Sequence, residues 1–223
     1  MTASITEAPI TGEQRIKMSY EEYLAWPDQG TLAEWVDGEV VVLMPPKTTH
    51  QEIIGLLFHL VALYVDLLHL GRVIVAPFEM RIHPDGNARE PDLLFVADEH
   101  MDRLTDTRLA GPADLAIEVI SDESIHRDRV DKFYEYQEGG VREYWIIDPR
   151  SGKERVDGYW LTPQGRYQAI LPDDASRYHS TVLPDFWFHP DWLWQEPKPD
   201  PLLTLAEIAP QALRSALASK LGL

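Results

Sequence analysis

The chain reads as a mixed α/β protein, a mixed β-sheet core flanked by helices with additional β-segments toward the C-terminus. Three observations predict this class. A long helical stretch precedes a series of short apolar strands. A second helix then sits between two buried strands. No regular strand–helix–strand repeat runs through the chain.

The elements follow in order. Ser19-Tyr20-Glu21-Glu22 has the pattern of a capping box and opens a short helix that Pro27 closes. Residues 33–44 read as a hairpin with its turn at Asp37-Gly38. Residues 50–70 carry apolar side chains at Ile53, Ile54, Leu57, Leu60, Val61, Tyr64 and Leu68, the period of a helix, ended by Gly71. Strand signals come at 73–82, 92–96 and 115–121. A helix over 124–138 stops at Gly139-Gly140, and 144–147 is a further buried strand stopped by Asp148-Pro149. Short β-segments at 155–161 and 165–171 and a Trp/Phe-rich end reach Trp194. The run Glu196-Pro197-Lys198-Pro199-Asp200-Pro201 reads as a hinge before an amphipathic helix interrupted by Pro210. The expected organisation is therefore a flexible segment 1–18, one domain 19–195, and a hinge with a C-terminal helix over 196–223. That helix docks either on its own domain or on a partner.

The totals narrow the class. A chain of 223 residues suits one compact domain, and 44% hydrophobic residues with seven Trp and nine Tyr supply a core. The absence of cysteine excludes a disulfide framework and thiolate metal sites. The opening MTASITEAPITGEQR has no apolar signal core, and no later run approaches membrane-spanning length, so a cytoplasmic protein with no membrane partner is expected. Formal charge is −17, which repels nucleic acid at long range unless metal ions or local basic residues offset it. No G-x-x-x-x-G-K-[ST], G-x-G-x-x-G or G-x-S-x-G occurs, and the eight histidines form no H-x-x-x-H pair.

Two carboxylates stand out. Asp92 begins the apolar run Leu-Leu-Phe-Val-Ala, and Glu118 lies inside Leu-Ala-Ile-Glu-Val-Ile. A carboxylate in such a strand is costly to bury unless paired, hydrogen-bonded or metal-bound. Two of them on neighbouring strands can hold a hard divalent cation, completed by waters and a backbone carbonyl, assigned here to Val119. Lys132 is the third element. Glu118 lies ~10 Å before the strand end at strand rise, and Lys132 ~10 Å into the following helix, so a helix folded back brings the two level. Helical spacing puts Ile125, Arg129, Lys132 and Tyr136 on one stripe and Val130, Phe133 and Tyr134 on the other. Glu39 and Glu79 are possible further ligands. His50 reads as a residue opening the long helix.

These residues resemble a known family. The matching pieces are Trp35-Val36-Asp37-Gly38-Glu39-Val40, His50-Gln51, Ala76-Pro77-Phe78, Pro91-Asp92-Leu93-Leu94-Phe95-Val96 and Gly111-Pro112. They continue through Asp114-Leu115-Ala116-Ile117-Glu118-Val119-Ile120-Ser121, Arg127-Asp128-Arg129, Asp131-Lys132, Tyr136 and the run from Gly140 to Pro149. Together they resemble the Uma-two family of restriction-endonuclease-like proteins, over roughly residues 19 to 195. The resemblance implies the PD-(D/E)XK nuclease fold and DNA cleavage that depends on Mg²⁺ or Mn²⁺. It implies Asp92 and Glu118 as the motif acids and Glu39 as the upstream acid. Ile120 stands where the motif lysine is expected, and the resemblance implies that Lys132 replaces it from the next helix.

The leading expectation is thus a Mg²⁺-dependent DNA endonuclease acting as a homo-oligomer, most simply a dimer. The alternative is a degenerate nuclease fold serving as a binding or regulatory module, which the charge and Ile120 favour. A two-carboxylate glycosidase is a third, weaker option.

Overall fold

A six-stranded sheet with two differently used faces organises the chain, and the alternation of side chains along its strands decides which residues reach the site. The computed structural model describes residues 14–26 and 32–221. Its first part contains β1 (Gln14–Lys17), α1 (Tyr20–Leu24), β2 (Ala33–Val36), β3 (Glu39–Val42) and the long α2 (Thr48–Leu68). Next come β4 (Gly71–Val75), β5 (Glu79–Arg81), β6 (Leu93–Ala97), β7 (Arg108–Ala110) and β8 (Leu115–Val119). A π-helical segment, Arg127–Asp131, leads directly into α3 (Lys132–Gly139), followed by β9 (Glu143–Asp148), β10 (Arg155–Leu161) and β11 (Tyr167–Ile170). The chain ends with β12 (Tyr178–His179), β13 (Trp187–Phe188), α4 (Asp191–Trp194), α5 (Pro201–Ile208) and α6 (Pro210–Leu221).

The central sheet has the order β11-β10-β9-β8-β6-β4. Only β8 and β9 are parallel neighbours, and α3 is the crossover between them, as a parallel pair requires. One face packs on α2. There Leu93, Phe95, Leu115, Ile117, Val119, Trp145 and Ile147 meet Ile53, Leu57, Leu60, Val61 and Tyr64. The other face packs on α3, with Leu94, Val96, Ala116, Ile120, Tyr144 and Ile146 against Tyr136 and Val141. A separate sheet, β1-β3-β2, carries the predicted hairpin. Its turn residues Asp37 and Gly38 both have positive φ, 51° and 82°, the geometry that matches hairpin twist.

Several expectations are met and several corrected. The capping box forms: Ser19 Oγ accepts from the Glu22 amide at 3.2 Å, and Glu22 Oε2 accepts from the Ser19 amide at 2.8 Å. Pro27 lies outside the described residues, as do residues 1–13. Gln14–Lys17, expected to be loose, is a strand paired with Glu39–Val42; its side chains are mostly exposed, so no apolar pattern announces it. The strand expected over 73–82 is two, β4 and β5, which join different sheets on either side of Pro77. The long helix is capped by His69 in the left-handed region, φ 54°. Gly71 has another role: it opens β4 at φ 146°, and a Cβ there would meet the Val96 carbonyl oxygen at 2.0 Å. The expectation that no run reaches membrane-spanning length fails at α2, which is long and apolar enough to cross a membrane by length and composition. Here its apolar side is the core of the domain. The segment after the prolines docks on that same core through Leu205 and Ile208 of α5.

The aromatic C-terminal segments are tied to the sheet by one buried carboxylate. Glu143 Oε2 accepts from the Thr181 amide and hydroxyl, both at 2.6 Å, and from the Val182 amide at 3.1 Å, while Oε1 accepts from Trp145 Nε1 at 2.6 Å. Glu143→Ala would leave these donors unpaired in the interior. We expect a loss of about 3 kcal/mol in urea unfolding, with faster amide exchange over 180–188. An unchanged midpoint would show that the segment is anchored elsewhere.

Candidate active site

Strand alternation places both motif acids on one face. Leu115, Ile117 and Val119 of β8 point to α2, and Ala116 and Ile120 to α3, so Glu118 emerges on the α3 side. The β6–β8 register pairs Leu93 with Ile117 and Leu94 with Ala116, and one further step sets Asp92 opposite Glu118. The Val119 amide donates to Asp92 Oδ2 at 2.7 Å, and His50 Nε2 lies 3.1 Å from the same oxygen. His50, expected only to open α2, therefore reaches the site from the first turn of that helix.

Lys132 arrives from the opposite layer. The wide π-turn Arg127–Asp131 ends at this residue, a geometry often found at functional sites. Lys132 Nζ lies 2.7 Å from Glu118 Oε1, 2.7 Å from Glu34 Oε1 and 3.7 Å from Asp128 Oδ1. The Tyr136 hydroxyl donates to Glu118 Oε1 at 3.1 Å. The Lys132 side chain is only 2% exposed. The expected stripe is partly corrected: Lys132 and Tyr136 face inward, but Asp128 joins them, and Arg129 turns to Asp157 at 2.6 Å. Asp128 stands four residues before Lys132, the spacing that puts two residues on one helix face. Ile120, in the place of the motif lysine, is buried among apolar side chains.

Glu34 is the hairpin carboxylate that stands beside Lys132, 2.7 Å from its Nζ. It is fully buried, and Arg89 Nη1 donates to its Oε2 at 3.0 Å. Two backbone hydrogen bonds between Trp35 and Ala88 fasten β2 beside Arg89 and so deliver Glu34 to Lys132. Glu39 sits next to the hairpin turn, a partly exposed residue 3.6 Å from Arg15 Nη1. Glu79 accepts from the Tyr20 hydroxyl at 2.5 Å and belongs to a different cluster with Arg108. Val119 lines the cleft, and its amide is the group seen holding Asp92.

Burial and charge set the protonation states. Burial pushes Glu118 well above the usual carboxylate range, and Asp128, Asp92 and Glu34 push it further, while Lys132 opposes them. Burial raises Asp128 as well, against Lys132 and Arg127. For Glu34 burial also acts upward, but Lys132, Arg89 and Arg127 together outweigh it and lower the pKa to about 2. Burial would lower Lys132, yet Glu118, Glu34 and Asp128 raise it, so the ammonium stays charged at neutral pH. His50 is raised despite burial, through its hydrogen bond and charge interaction with Asp92. Partial burial, with the charge of Glu34 nearby, pushes Glu90 up to about 8.

His50, Glu90, Asp92, Glu118, Asp128 and Lys132 line a cleft of about 640 Å³. One wall is apolar, with Leu32, Leu43, Met44 and Pro45, and Lys47 and Arg150 also line it. Outside it, Glu99, His100 and Asp114 bring ligand atoms within 4.8 Å of one another. In that group Arg142 Nη1 lies 3.0 Å from both Glu99 and Asp114, His100 Nδ1 lies 2.9 Å from Asp114, and the Ala97 amide donates to Asp114 at 2.7 Å.

The lowered pKa of Glu34 has a direct consequence. Its ionised form stabilises the fold above the ordinary value of 4.5, and that contribution is lost as pH falls through about 2. The difference in unfolding free energy between wild type and Glu34→Gln should therefore shrink on acidification from pH 5 to 2. A constant difference would mean that the Lys132–Glu34 pair contributes nothing through charge.

Known proteins resemble this chain in sequence family and in fold. The Uma2 family, described as "Putative restriction endonuclease", matches residues 20–203. No curated protein matches the chain. Among solved structures, the chain is similar to "a putative nuclease belonging to DUF820 from Anabaena variabilis ATCC 29413". That likeness has a TM-score of 0.62 at 17% identity and covers 78% of this chain and 96% of the other. At such identity it speaks for the fold, which is the restriction-endonuclease-like one expected. The matched segment holds every residue gathered around Lys132, and the chain belongs to the Uma2 family of restriction-endonuclease-like proteins.

Proposed function

We propose that this cleft hydrolyses DNA phosphodiester bonds, with a Mg²⁺ or Mn²⁺ ion held by Asp92, Glu118 and the Val119 carbonyl. The observation that carries the reading is the meeting of Asp92 and Glu118 on adjacent strands with Lys132 2.7 Å from Glu118. The donors are hard oxygens, the set suited to these cations, and they stand on rigid strands. Burial and mutual repulsion already raise Glu118 and Asp128 above the ordinary carboxylate range, and a divalent cation beside Glu118 would relieve that repulsion. When bound, the ion would acidify a water and offset charge on the scissile phosphate.

The roles of the side chains follow from their states. Lys132 remains protonated, so it does not accept a proton; it stabilises charge developing on the phosphate. Glu34 holds the Lys132 ammonium in place, and Tyr136 orients Glu118. His50 steadies Asp92. For a duplex cut, two copies related by a two-fold axis would each meet one strand. The second reading, a nuclease fold without turnover, is favoured by one specific observation: Lys132 already occupies Oε1 of Glu118 and Oε1 of Glu34, at 2.7 Å from each.

Nicking of supercoiled plasmid separates the readings. Wild type should nick with Mg²⁺ or Mn²⁺ and stop on chelation, and Glu118→Gln should be about 100-fold slower or worse. Equal nicking by both proteins would remove Glu118 from the mechanism, and no nicking by wild type would favour the binding module. Lys132→Met should lose cleavage to a similar degree yet still bind Mn²⁺. Because Glu39 stands apart at the hairpin turn, Glu39→Gln should cleave at the wild-type rate, and a large loss would restore it to the site.

A further inference from the structure

We infer that the cleft takes an unpaired strand of DNA, with one base against the apolar wall and the adjoining phosphate directed toward Lys132. This rests on the nuclease reading above and names the form of DNA that the site accepts. The wall continues the hairpin that delivers Glu34. The Leu43 amide donates to the Leu32 carbonyl at 2.9 Å, which extends the β2–β3 pairing one step beyond Ala33 and Val42. Leu32 precedes Glu34 by two residues, so it shares that face of the hairpin, about 7 Å further from the turn. Leu43 lies opposite Leu32, and the chain then runs through Met44, Pro45 and Pro46 to Lys47 at the start of α2. Leu32 and Leu43 are half-buried, whereas Met44, Pro45 and Pro46 are exposed, and all five line the cleft. In sequence, Met44-Pro45-Pro46 is a plain connection. The docked hairpin makes it part of an apolar surface at the mouth of an acidic site, the kind of patch that marks a binding surface.

Depth, chemistry and charge each favour a single strand over a duplex. The Lys132 side chain is 2% exposed and that of Glu118 5%, so a reacting phosphate has to enter the cleft. Its volume of about 640 Å³ lies within the roughly 300–1,000 Å³ of pockets that enclose a small ligand. A short stretch of one strand suits such a space, and a stiff double helix does not fold into it. In a duplex, moreover, the bases are stacked and offer only their edges to the grooves, which calls for hydrogen-bonding side chains. An apolar wall matches instead the flat face of a base that has left the stack. The Met44 thioether suits this role, because sulfur packs favourably on aromatic rings. Duplex-binding proteins draw much of their affinity from cations set against phosphates. Here the cations lining the cleft, among the described residues, are Lys47, Arg127, Lys132 and Arg150, in a chain of net charge −17. Stacking of a base supplies affinity that does not depend on phosphate contacts. Lys47 serves the same strand. It directly follows the wall, and its partner Asp122, at 2.9 Å, is exposed like itself, a surface pair weak enough to exchange for a phosphate.

End-labelled oligonucleotides of one sequence, given to the full-length protein, test this. They are a single strand, a blunt duplex, a duplex with an internal unpaired bubble, and a single strand whose central bases are replaced by abasic sites. With Mn²⁺, the single strand and the bubble should be cut about 10-fold faster than the duplex or better, and the bubble only within its unpaired tract. In chelator, where nothing is cut, fluorescence anisotropy should show the intact single strand bound about 5–150-fold more tightly than the abasic one, the effect of one stacked base. Met44→Ser should lose that preference and keep the wild-type Tm, since Met44 is exposed. Lys47→Gln should reduce the salt slope of single-strand binding by about 0.7. Plasmid nicking does not distinguish the two forms of DNA, because negative supercoiling favours local strand opening. Equal cleavage of duplex and single strand would overturn the inference and leave the nuclease reading standing. Equal binding of the intact and abasic strands, or an undiminished preference in Met44→Ser, would overturn it as well. Cleavage of none of the four DNAs, with the binding preference intact, would remove the nuclease reading and support the single-strand site.

Discussion

A protonated lysine inside a protein needs counter-charges that do not move, and in this chain three layers of structure converge to supply them. Strand β8 brings Glu118 by alternation, the hairpin brings Glu34, and the π-turn brings Lys132 itself. Each ion lost its water on burial, a cost of several kcal/mol, and the 2.7 Å contacts on both sides offset it. Removal of Lys132 takes from Glu118 and Glu34 the cation they share, and breaking a buried pair in this way typically costs about 3–5 kcal/mol. The three elements are therefore coupled, because a shift in any one of them exposes an unpaired ion.

This coupling explains the division of labour between the two sheet faces. The α2 face is apolar throughout and supplies most of the burial that stabilises the domain, including the anchor for α5. The α3 face mixes apolar side chains with the ionised cluster, and its strands are fixed from behind by α2. A rigid apolar layer under a polar one is what holds carboxylates close together despite their repulsion.

The charge of −17 takes on a more specific meaning beside this geometry. Arg89 and Lys132 are spent internally, on Glu34, Glu135 and Glu118. Among the cleft-lining residues, Lys47 and Arg150 are themselves paired with Asp122 and Asp148. Local basic residues thus do little to offset the long-range repulsion of a polyanion, whereas the same field draws divalent cations toward the cleft.

Much of this was legible along the chain, and the misses share a cause. The hairpin, the long helix and the strands around Asp92 and Glu118 follow from local periodicity and turn chemistry, which act within a few residues. Glu118 announced itself because an apolar strand offers a carboxylate no inexpensive local partner. Glu39 was expected in the site from its Asp-Gly-Glu turn motif, whereas the carboxylate beside Lys132 is Glu34. Both lie on the same hairpin face, yet Glu39 stands beside the turn, two residues or about 7 Å further out. Nothing local distinguishes the two.

What the sequence determined by itself is the fold class and the pair of strands that carry Asp92 and Glu118, because both depend on short-range patterns of apolar side chains. Only the tertiary structure decided that Glu34, Asp128 and His50 join them. The contacts of His50 and Glu34 span from 42 residues, between His50 and Asp92, to the still wider gap from Glu34 to Lys132, whereas Asp128 stands four residues before Lys132. The long-range contacts are set by register and by the docking of the hairpin, neither of which leaves a local pattern in the sequence.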